Sequence, residues 1–345
     1  MVMEKNETLK VAVLGMGQVA KVRHLEAYKR NPNTELVAVY DKNEARRSIA
    51  EGLGVKNFYS DLDEMYDAHN IDAVSICTPP FTHLDLTLDS LKRGKHVLCE
   101  KPIAMSVDDL KKVDEVKQDN LVFSTCHNFL YGKAMTKLKL LMSEEKLTKV
   151  TGVNAFQWSS WKRRLPTWYD ELPGGLFYDE GPHLLYMIEY FIGRMEVSNA
   201  DYHESNAGDN RSVNINAFYK GEKANCTLNM WFGAPHSEWF IAIGFEEGCA
   251  IIDLFRDILV VLPKEEERNY KFILEVPFKA TIQQWSQIVK WIATRYSKGR
   301  HLYGHQTIID QFVDAIIHGS EPDINYRDGY RIIGLMHDTL KSAGV

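Results

Sequence analysis

A chain of 345 residues with 45% hydrophobic positions carries enough apolar side chain for two domains with real cores. Its 41 basic and 47 acidic residues leave a net charge of −6, which argues against a nucleic-acid binder with its usual basic face. Met1–Lys10 is polar and no apolar run reaches membrane-spanning length, so the default compartment is the cytoplasm, with no membrane partner.

The first strand reads as Val11–Leu14, an apolar run suited to a buried parallel sheet. It breaks at Gly15-Met16-Gly17-Gln18-Val19-Ala20, and a helical pattern follows from about Val19 to Arg30. This strand–turn–helix context is what a dinucleotide fingerprint needs. Gly15 permits the tight turn, Gly17 lets the backbone approach a pyrophosphate, and Ala20 keeps helix and sheet close. The helix N-terminus offers N–H groups and partial positive charge to the phosphates. A second strand, Glu35–Tyr40, ends in Asp41, placed to accept from adenosine ribose hydroxyls. Asp41 repels a 2′-phosphate and favours NAD over NADP. Lys42 beside it would pair with that phosphate, which leaves NADP open.

Further βα alternation follows. A helix is expected over about Glu44–Leu53, a short strand at Phe58-Tyr59 and a helix over Leu62–Ala68. Ala73–Cys77 reads as a strand ending at Thr78-Pro79-Pro80, with a helix over about His83–Arg93. His96–Cys99 is a strand stopped by Glu100-Lys101-Pro102, and a helix over Val107–Lys117 precedes a last strand, Val122–Thr125. Such repetition predicts a doubly wound parallel sheet over residues 1–128, with ligands beyond the carboxyl ends of its strands. Gly15, Asp41, Thr78 and Lys101 occupy such ends.

Beyond residue 128 the texture changes. A helix near Lys133–Met142 precedes strand-like runs at Lys149–Trp158, Arg211–Tyr219, Ala224–Phe232, Trp239–Phe245, Ala250–Leu254 and Ile258–Leu262. Turn signals at Lys220-Gly221-Glu222 and Glu247-Gly248 predict hairpins, and hence a mostly antiparallel sheet with one covered face. Thr281–Tyr296 carries a helical stripe of Ile282, Trp285, Ile288, Val289 and Ile292, expected to dock on the core or on a subunit neighbour. Two helices, about Gln306–Ile317 and Gly329–Ser342, close the chain. The expectation is an α+β second domain over 129–345, whose last helices pack back on the first.

Five cysteines, Cys77, Cys99, Cys126, Cys226 and Cys249, show no CxxC pair. The first three lie in or beside apolar runs and read as small buried hydrophobes. No disulfide framework, zinc site or other metal site is expected, since no HxH or HxxxH cluster stands with nearby acids. His24, His69 and His203 read as surface residues.

Four segments together resemble one family: Gly15-Met-Gly-Gln-Val-Ala20, Cys77-Thr-Pro-Pro80 with His83, Glu100-Lys-Pro102, and Gly174-Gly-Leu-Phe-Tyr-Asp-Glu-Gly-Pro-His183. Their order and separations are similar to those of the glucose–fructose oxidoreductase, inositol dehydrogenase and MocA group of nicotinamide-dependent oxidoreductases. The resemblance implies a Rossmann domain followed by an open-sheet domain that pairs subunits into dimers or tetramers. It implies that Gly15, Met16, Gly17, Gln18, Val19, Asp41, Lys42, Thr78, Pro79, Pro80, His83, Glu100, Lys101 and Asn128 hold NAD.

The same resemblance implies a catalytic set of Lys101, Asp179 and His183. Taken alone, Lys101 reads as a solvated lysine in a turn, and the other two as a helix-start acid near a satisfied core histidine. In the resembled chemistry Pro102 holds Lys101 extended over the cofactor crevice. There a neighbouring nicotinamide charge would lower its pKa. Pro182 is tolerable near a first helical turn, so the helix is expected to begin near Tyr178, with Asp179 and His183 one turn apart on one face. A histidine takes a hydroxyl proton near neutral pH, and the aspartate steadies the imidazolium or binds a neighbouring hydroxyl. Lys101 or His183 serves as the base.

Trp158, Trp161, Trp168 and Tyr169 crowd before this helix with Arg163-Arg164 among them. Aromatic faces suit sugar C–H surfaces and arginine suits carboxylate or phosphate, which makes Arg164 and Trp168 substrate candidates. The implied reaction is hydride transfer at a secondary alcohol or ketone of a sugar, cyclitol or related polyol. An anionic or nucleotide-linked sugar, a self-recycling enzyme with bound cofactor, and a non-catalytic NAD-binding sensor remain alternatives.

Overall fold

The computed structural model describes residues 8–160, 167–207, 210–265, 270–298 and 303–345. Two compact units emerge, Met1–Asn128 with Gly304–Gly334 and Phe129–Tyr303 with Leu335–Val345. None of the described helices is long and apolar enough to cross a membrane.

The first unit is built on six parallel strands: β1 (Leu9–Leu14), β2 (Thr34–Tyr40), β3 (Phe58–Tyr59), β4 (Ala73–Ile76), β5 (His96–Cys99) and β6 (Phe123–Thr125). Their spatial order is β3-β2-β1-β4-β5-β6, the doubly wound arrangement whose direction reverses between β1 and β4. A π-helical turn at Ala20–His24 runs into α1 (Leu25–Arg30). The other crossovers contain α2 (Arg47–Gly52), α3 (Leu62–Ala68), α4 (His83–Lys92) and α5 (Asp109–Val116). Strands β1, β4 and β5 are almost wholly buried, as expected for a sheet covered on both faces.

In the second unit, α6 (Lys133–Ser143) and α7 (Leu176–Ile192) cover one face of a seven-stranded sheet. Its strands are β7 (Val150–Ser160), β8 (Met195–Ala207), β9 (Asn210–Gly221), β10 (Asn225–Ala234), β11 (Glu238–Phe245), β12 (Gly248–Asp253) and β13 (Ile258–Pro263), in the order β13-β12-β11-β7-β10-β9-β8. All neighbours are antiparallel except β7 and β10. The expected hairpin turns join β9 to β10 and β11 to β12. Strand β8 escaped the sequence reading, because its run Met195–Ala207 is rich in Asn, Ser and Glu and lies at the sheet edge.

Helix α8 (Tyr270–Lys298) bears on the first of the two surfaces expected for its stripe. Its apolar stripe does not dock on the core. Ile282, Trp285, Val289 and Ile292 are exposed and Ile288 is half-buried, whereas Gln283 and Gln287 turn to the sheet. Each glutamine amide accepts from and donates to one residue of edge strand β13, Gln283 with Val261 at 3.0 and 2.9 Å and Gln287 with Leu259 at 3.1 and 2.7 Å. Two side-chain amides one helical turn apart thus substitute for a missing neighbouring strand and blunt the edge. Helices α9 (His305–His318) and α10 (Tyr326–Ser342) follow. In the first unit α9 packs on α1 and β5, with Asn31 donating to Asp310 at 2.7 Å.

Candidate functional site

In the first unit the fingerprint lies between β1 and the helix that follows. Gly15 has φ +99°, and a Cβ there would meet the Cys77 carbonyl carbon and oxygen and Thr78 Cγ2 at 2.9 Å. Only glycine satisfies both the left-handed backbone and this approach to the neighbouring strand end. A Cβ on Gly17 would meet just the Cys77 oxygen, at 3.5 Å. Lys21 N–H donates to Gly17 O at 3.2 Å, so the helix begins inside the fingerprint and its leading amides point outward. Asp41 closes the group: its Oδ2 accepts from Met16 N at 2.8 Å and its Oδ1 from Asn43 N at 2.9 Å. Gln18 and Lys42 are exposed and Val19 half-buried beside it. A glycine turn, a helix start and a carboxylate at the next strand end fit a dinucleotide.

The loop after β4 is braced from within. Thr82 Oγ1 donates to Thr78 Oγ1 at 2.7 Å and lies 2.8 Å from Pro79 O. His83 is buried, with Nδ1 2.8 Å from Pro102 O and Nε2 2.8 Å from Thr78 O. Both carbonyls only accept, so a neutral ring donates to one of them; burial favours that neutral ring and holds its pKa below the ordinary value. The ring ties the Thr78-Pro79-Pro80 loop to the segment after β5. Pro80 and Asn128 are buried, Thr78 and Pro79 half-buried.

Behind Lys101 lies a network that sequence reasoning missed. Glu100, 5% exposed, receives His24 Nε2 at 2.8 Å and His305 Nε2 at 3.3 Å on Oε1. Its Oε2 accepts from Lys101 N at 3.2 Å, and His24 Nδ1 meets Ser75 Oγ at 2.7 Å. Burial opposes ionisation of Glu100, but the two histidine hydrogen bonds outweigh it and hold the carboxyl well below its ordinary range. His24 is therefore a core residue, not the surface residue expected. The missed signal is its spacing: Ala20, His24, Ala27 and Tyr28 form one buried helical stripe. His69 is half-buried, 2.9 Å from Tyr59 Oη, whereas His203 is exposed. Ligand atoms of His24, Glu100 and Cys126 lie within 4.8 Å of one another, a juxtaposition that distant sequence positions conceal. Burial pushes the thiols of Cys77, Cys99 and Cys126 up. Lys101 itself is half-buried.

The second unit carries the other candidates on α7. Asp179 and His183 are four residues apart in one continuous helix and therefore share a face; both are half-buried. The helix starts at Leu176 rather than near Tyr178, which puts Pro182 inside it. Proline at position 182 forfeits the N–H that would reach the Tyr178 carbonyl, and the remaining turns carry the helix past that gap. His183 Nδ1 lies 2.9 Å from Tyr186 Oη, which accepts from Phe129 N at 3.1 Å. Phe129 meets the imidazole edge-on at 4.8 Å and Trp239 lies 6.0 Å from it. Tyr186 was findable as the i+3 helical neighbour of His183; Trp239, supplied by β11, had no local signal.

Of the aromatic cluster, Trp168 and Tyr169 are half-buried in the 3₁₀ segment Thr167–Glu171. Trp158 is not with them. Strand alternation turns Gln157 and Ser159 toward Glu180 of α7, and Trp158 to the opposite sheet face beside Phe156 and Trp231. Trp161, Arg163 and Arg164 lie outside the described residues.

Comparison with known proteins places these sites in context. Residues 9–125 match the oxidoreductase family model for an NAD-binding Rossmann fold, and residues 139–344 match that family's C-terminal alpha/beta domain. The chain is 29% identical over 187 residues to myo-inositol 2-dehydrogenase of Thermotoga maritima, covering 54% of this chain and 55% of that one. It is 31% identical to D-glucoside 3-dehydrogenase of Escherichia coli, covering 66% and 64%. The chain thus spans about half to two thirds of the length of these relatives. A solved levoglucosan dehydrogenase, in complex with NADH and levoglucosan, shares the fold at a TM-score of 0.77 and 19% identity, covering 98% of this chain and 97% of that one.

Proposed function

Because the chain belongs to the glucose–fructose oxidoreductase, inositol dehydrogenase and MocA family of NAD-binding oxidoreductases, we propose that it transfers hydride at a secondary alcohol or ketone of a sugar, cyclitol or related polyol. The observation that carries this reading is the Asp179–His183 pair on one face of α7, its imidazole held by Tyr186. Gly15, Met16, Gly17, Gln18 and Val19 hold the pyrophosphate, and Asp41 with Lys42 reads the adenosine ribose. Thr78, Pro79, Pro80, Glu100 and Asn128 shape the nicotinamide end, with His83 bracing it from behind. NAD, when bound, supplies the hydride acceptor or donor.

The remaining steps belong to side chains. Lys101 donates a hydrogen bond to the reacting hydroxyl oxygen. His183, held through Nδ1 by Tyr186 Oη, takes the hydroxyl proton. Asp179 steadies the resulting imidazolium or binds an adjacent hydroxyl. Trp168, and Arg164 before it, line the substrate. Two copies pair through the open sheet face, where the ring centroids of Phe156 and Phe240 are 5.2 Å apart and those of Trp158 and Trp231 are 6.3 Å apart.

The test is initial-rate NAD reduction across inositols, free hexoses, hexose phosphates and nucleotide sugars. Turnover of a free cyclitol or sugar supports the proposal; turnover confined to charged sugars moves it to the anionic class. NAD binding without turnover of any of them would revive the sensor reading. Tyr186→Phe is expected to cut kcat about tenfold, the lower end of what orienting partners contribute, and to displace the limb of the kcat pH profile on which the base titrates. An unchanged pH profile would show that Tyr186 does not tune the base.

A further inference from the structure

Three buried histidines of the first unit close on the tripeptide Glu100-Lys101-Pro102. His83 Nδ1 lies 2.8 Å from the Pro102 carbonyl oxygen. His24 and His305 both reach Glu100 Oε1 through Nε2, at 2.8 and 3.3 Å. Between these two ends stands Lys101, whose N–H donates to the other carboxylate oxygen of Glu100 at 3.2 Å. The rings of His24 and His305 are 5.6 Å apart and inclined at 71°, so they meet one oxygen from two directions. All three imidazoles are at most 6% exposed.

The two imidazoles on Glu100 differ in their setting. His24 lies behind the glycine turn and meets Ser75 Oγ with its second nitrogen. His305 is the first residue of α9, placed there by Gly304, whose φ of +84° turns the chain into the helix. The helix itself is docked by other groups. Asn31 donates to Asp310 at 2.7 Å, and Gln306 Nε2 reaches Asp310 at 2.9 Å and Ala27 O at 3.3 Å. Ile308, Ile309 and Phe312 are buried beneath it. Burying an imidazole costs desolvation that an apolar side chain would not incur. The bond to Glu100 offsets that cost, and it leads toward Lys101 rather than into the packing of α9.

We infer that His305 is a positioning residue for Lys101, acting through Glu100. The path is short. It runs from imidazole Nε2 to Oε1, across the carboxylate to Oε2, and on to the N–H of the residue that carries the amine. Glu100 is held ionised by its histidine partners, so both oxygens accept. Two imidazoles meeting one oxygen at a steep angle fix the plane of the carboxylate, and Oε2 with it. Precision of this kind matters at a reacting group, where a misplacement of about 1 Å costs about a hundredfold in rate. The inference rests on the role proposed above for Lys101 and adds a residue of α9 to it.

The experiment uses the full chain and two substitutions. His305→Leu removes the donor and keeps an apolar side chain, whereas His305→Gln restores an amide donor near the place of Nε2. His305→Leu is expected to lower kcat about tenfold and to change the KM for NAD by less than about twofold, as for partners that orient a functional group. His305→Gln should recover most of the lost rate. A second readout follows the lysine without turnover: reductive methylation with formaldehyde, resolved by peptide mass spectrometry. Lys101 should react at a rate altered by about threefold or more in His305→Leu, since the free-amine fraction answers to the charges around it, and at the wild-type rate in His305→Gln. Wild-type kcat together with wild-type labelling of Lys101 in His305→Leu would overturn the inference. So would a rate loss that glutamine does not recover, with a lower thermal melt and unchanged labelling, since that is packing alone. If no sugar of the panel is turned over, the labelling comparison decides by itself. If Lys101→Met leaves turnover intact while His305→Leu still alters the labelling, positioning stands and the proposed role of Lys101 in the chemistry is what fails.

Discussion

Lys101→Met is expected to lower kcat by about a thousandfold, within the range that a positioned proton donor or acceptor contributes, with little change in NAD affinity. Methionine keeps the length and apolar stem of the side chain and removes the ammonium group alone. The backbone at this position is held independently of that group. Lys101 N–H donates to Glu100, whose carboxylate is fixed from the other side by His24 and His305. The loop carrying the lysine should therefore survive the substitution. Steady-state kinetics and quenching of protein fluorescence by NADH separate the two quantities. Turnover at the wild-type rate with cofactor still bound would remove Lys101 from the chemistry.

His24→Leu is expected to destabilise the first unit by about 3–5 kcal/mol, the cost of breaking a buried ionic hydrogen bond while its other partner stays buried. Leucine leaves Glu100 with His305 and one backbone N–H, and strips Ser75 Oγ of the imidazole it meets at 2.7 Å. Urea titration of both proteins at neutral pH reads the difference. The acid dependence has a definite sign. The Glu100 carboxyl lies well below its ordinary value in the folded protein, against about 4.3 in the unfolded chain. Its contribution is therefore fully present above the unfolded value and declines as pH falls through the folded one. The wild-type advantage over His24→Leu should shrink as pH falls below about 4. A stability difference under 1 kcal/mol at pH 7 would show that the network is incidental.

The parallel sheet of the first unit was legible because its central strands, β1 and β4, are short buried runs of mostly β-branched and aliphatic residues followed by a glycine or proline turn. Gly15 and Asp41 could be placed for the same reason: their roles depend on backbone conformation and on the position just past a strand, both of which sequence order records. The Glu100 network was not legible as a network. Its members, at 24, 75, 100 and 305, come together only when β1, β4 and β5 align and the chain returns through α9. His24 alone carried a local signal, the helical face it shares with Ala20 and Ala27, and was still read as a surface residue.

On α7 the shared face of Asp179 and His183 was readable from four-residue spacing. The start of the helix was misjudged by two residues, because proline was expected only in a first turn. Helix α8 shows the limit of periodicity. Periodicity located the stripe correctly, but periodicity alone does not say which side of a helix meets its own sheet. There the polar side wins, since two glutamine amides can satisfy the open backbone groups of an edge strand and apolar side chains cannot. Strand β8 was invisible for a related reason, being held by backbone pairing with β9 rather than by apolar alternation.

The central proposal is that Lys101 and His183 serve the same hydride-transfer reaction. A double-mutant cycle with Lys101→Met and His183→Ala, read as kcat/KM on the best substrate of the sugar panel, tests it most directly. Groups that act as a unit lose most of their effect at the first removal, so the double variant should be within about tenfold of the slower single variant. Rate losses that multiply in full would contradict the account and assign the two side chains to independent tasks.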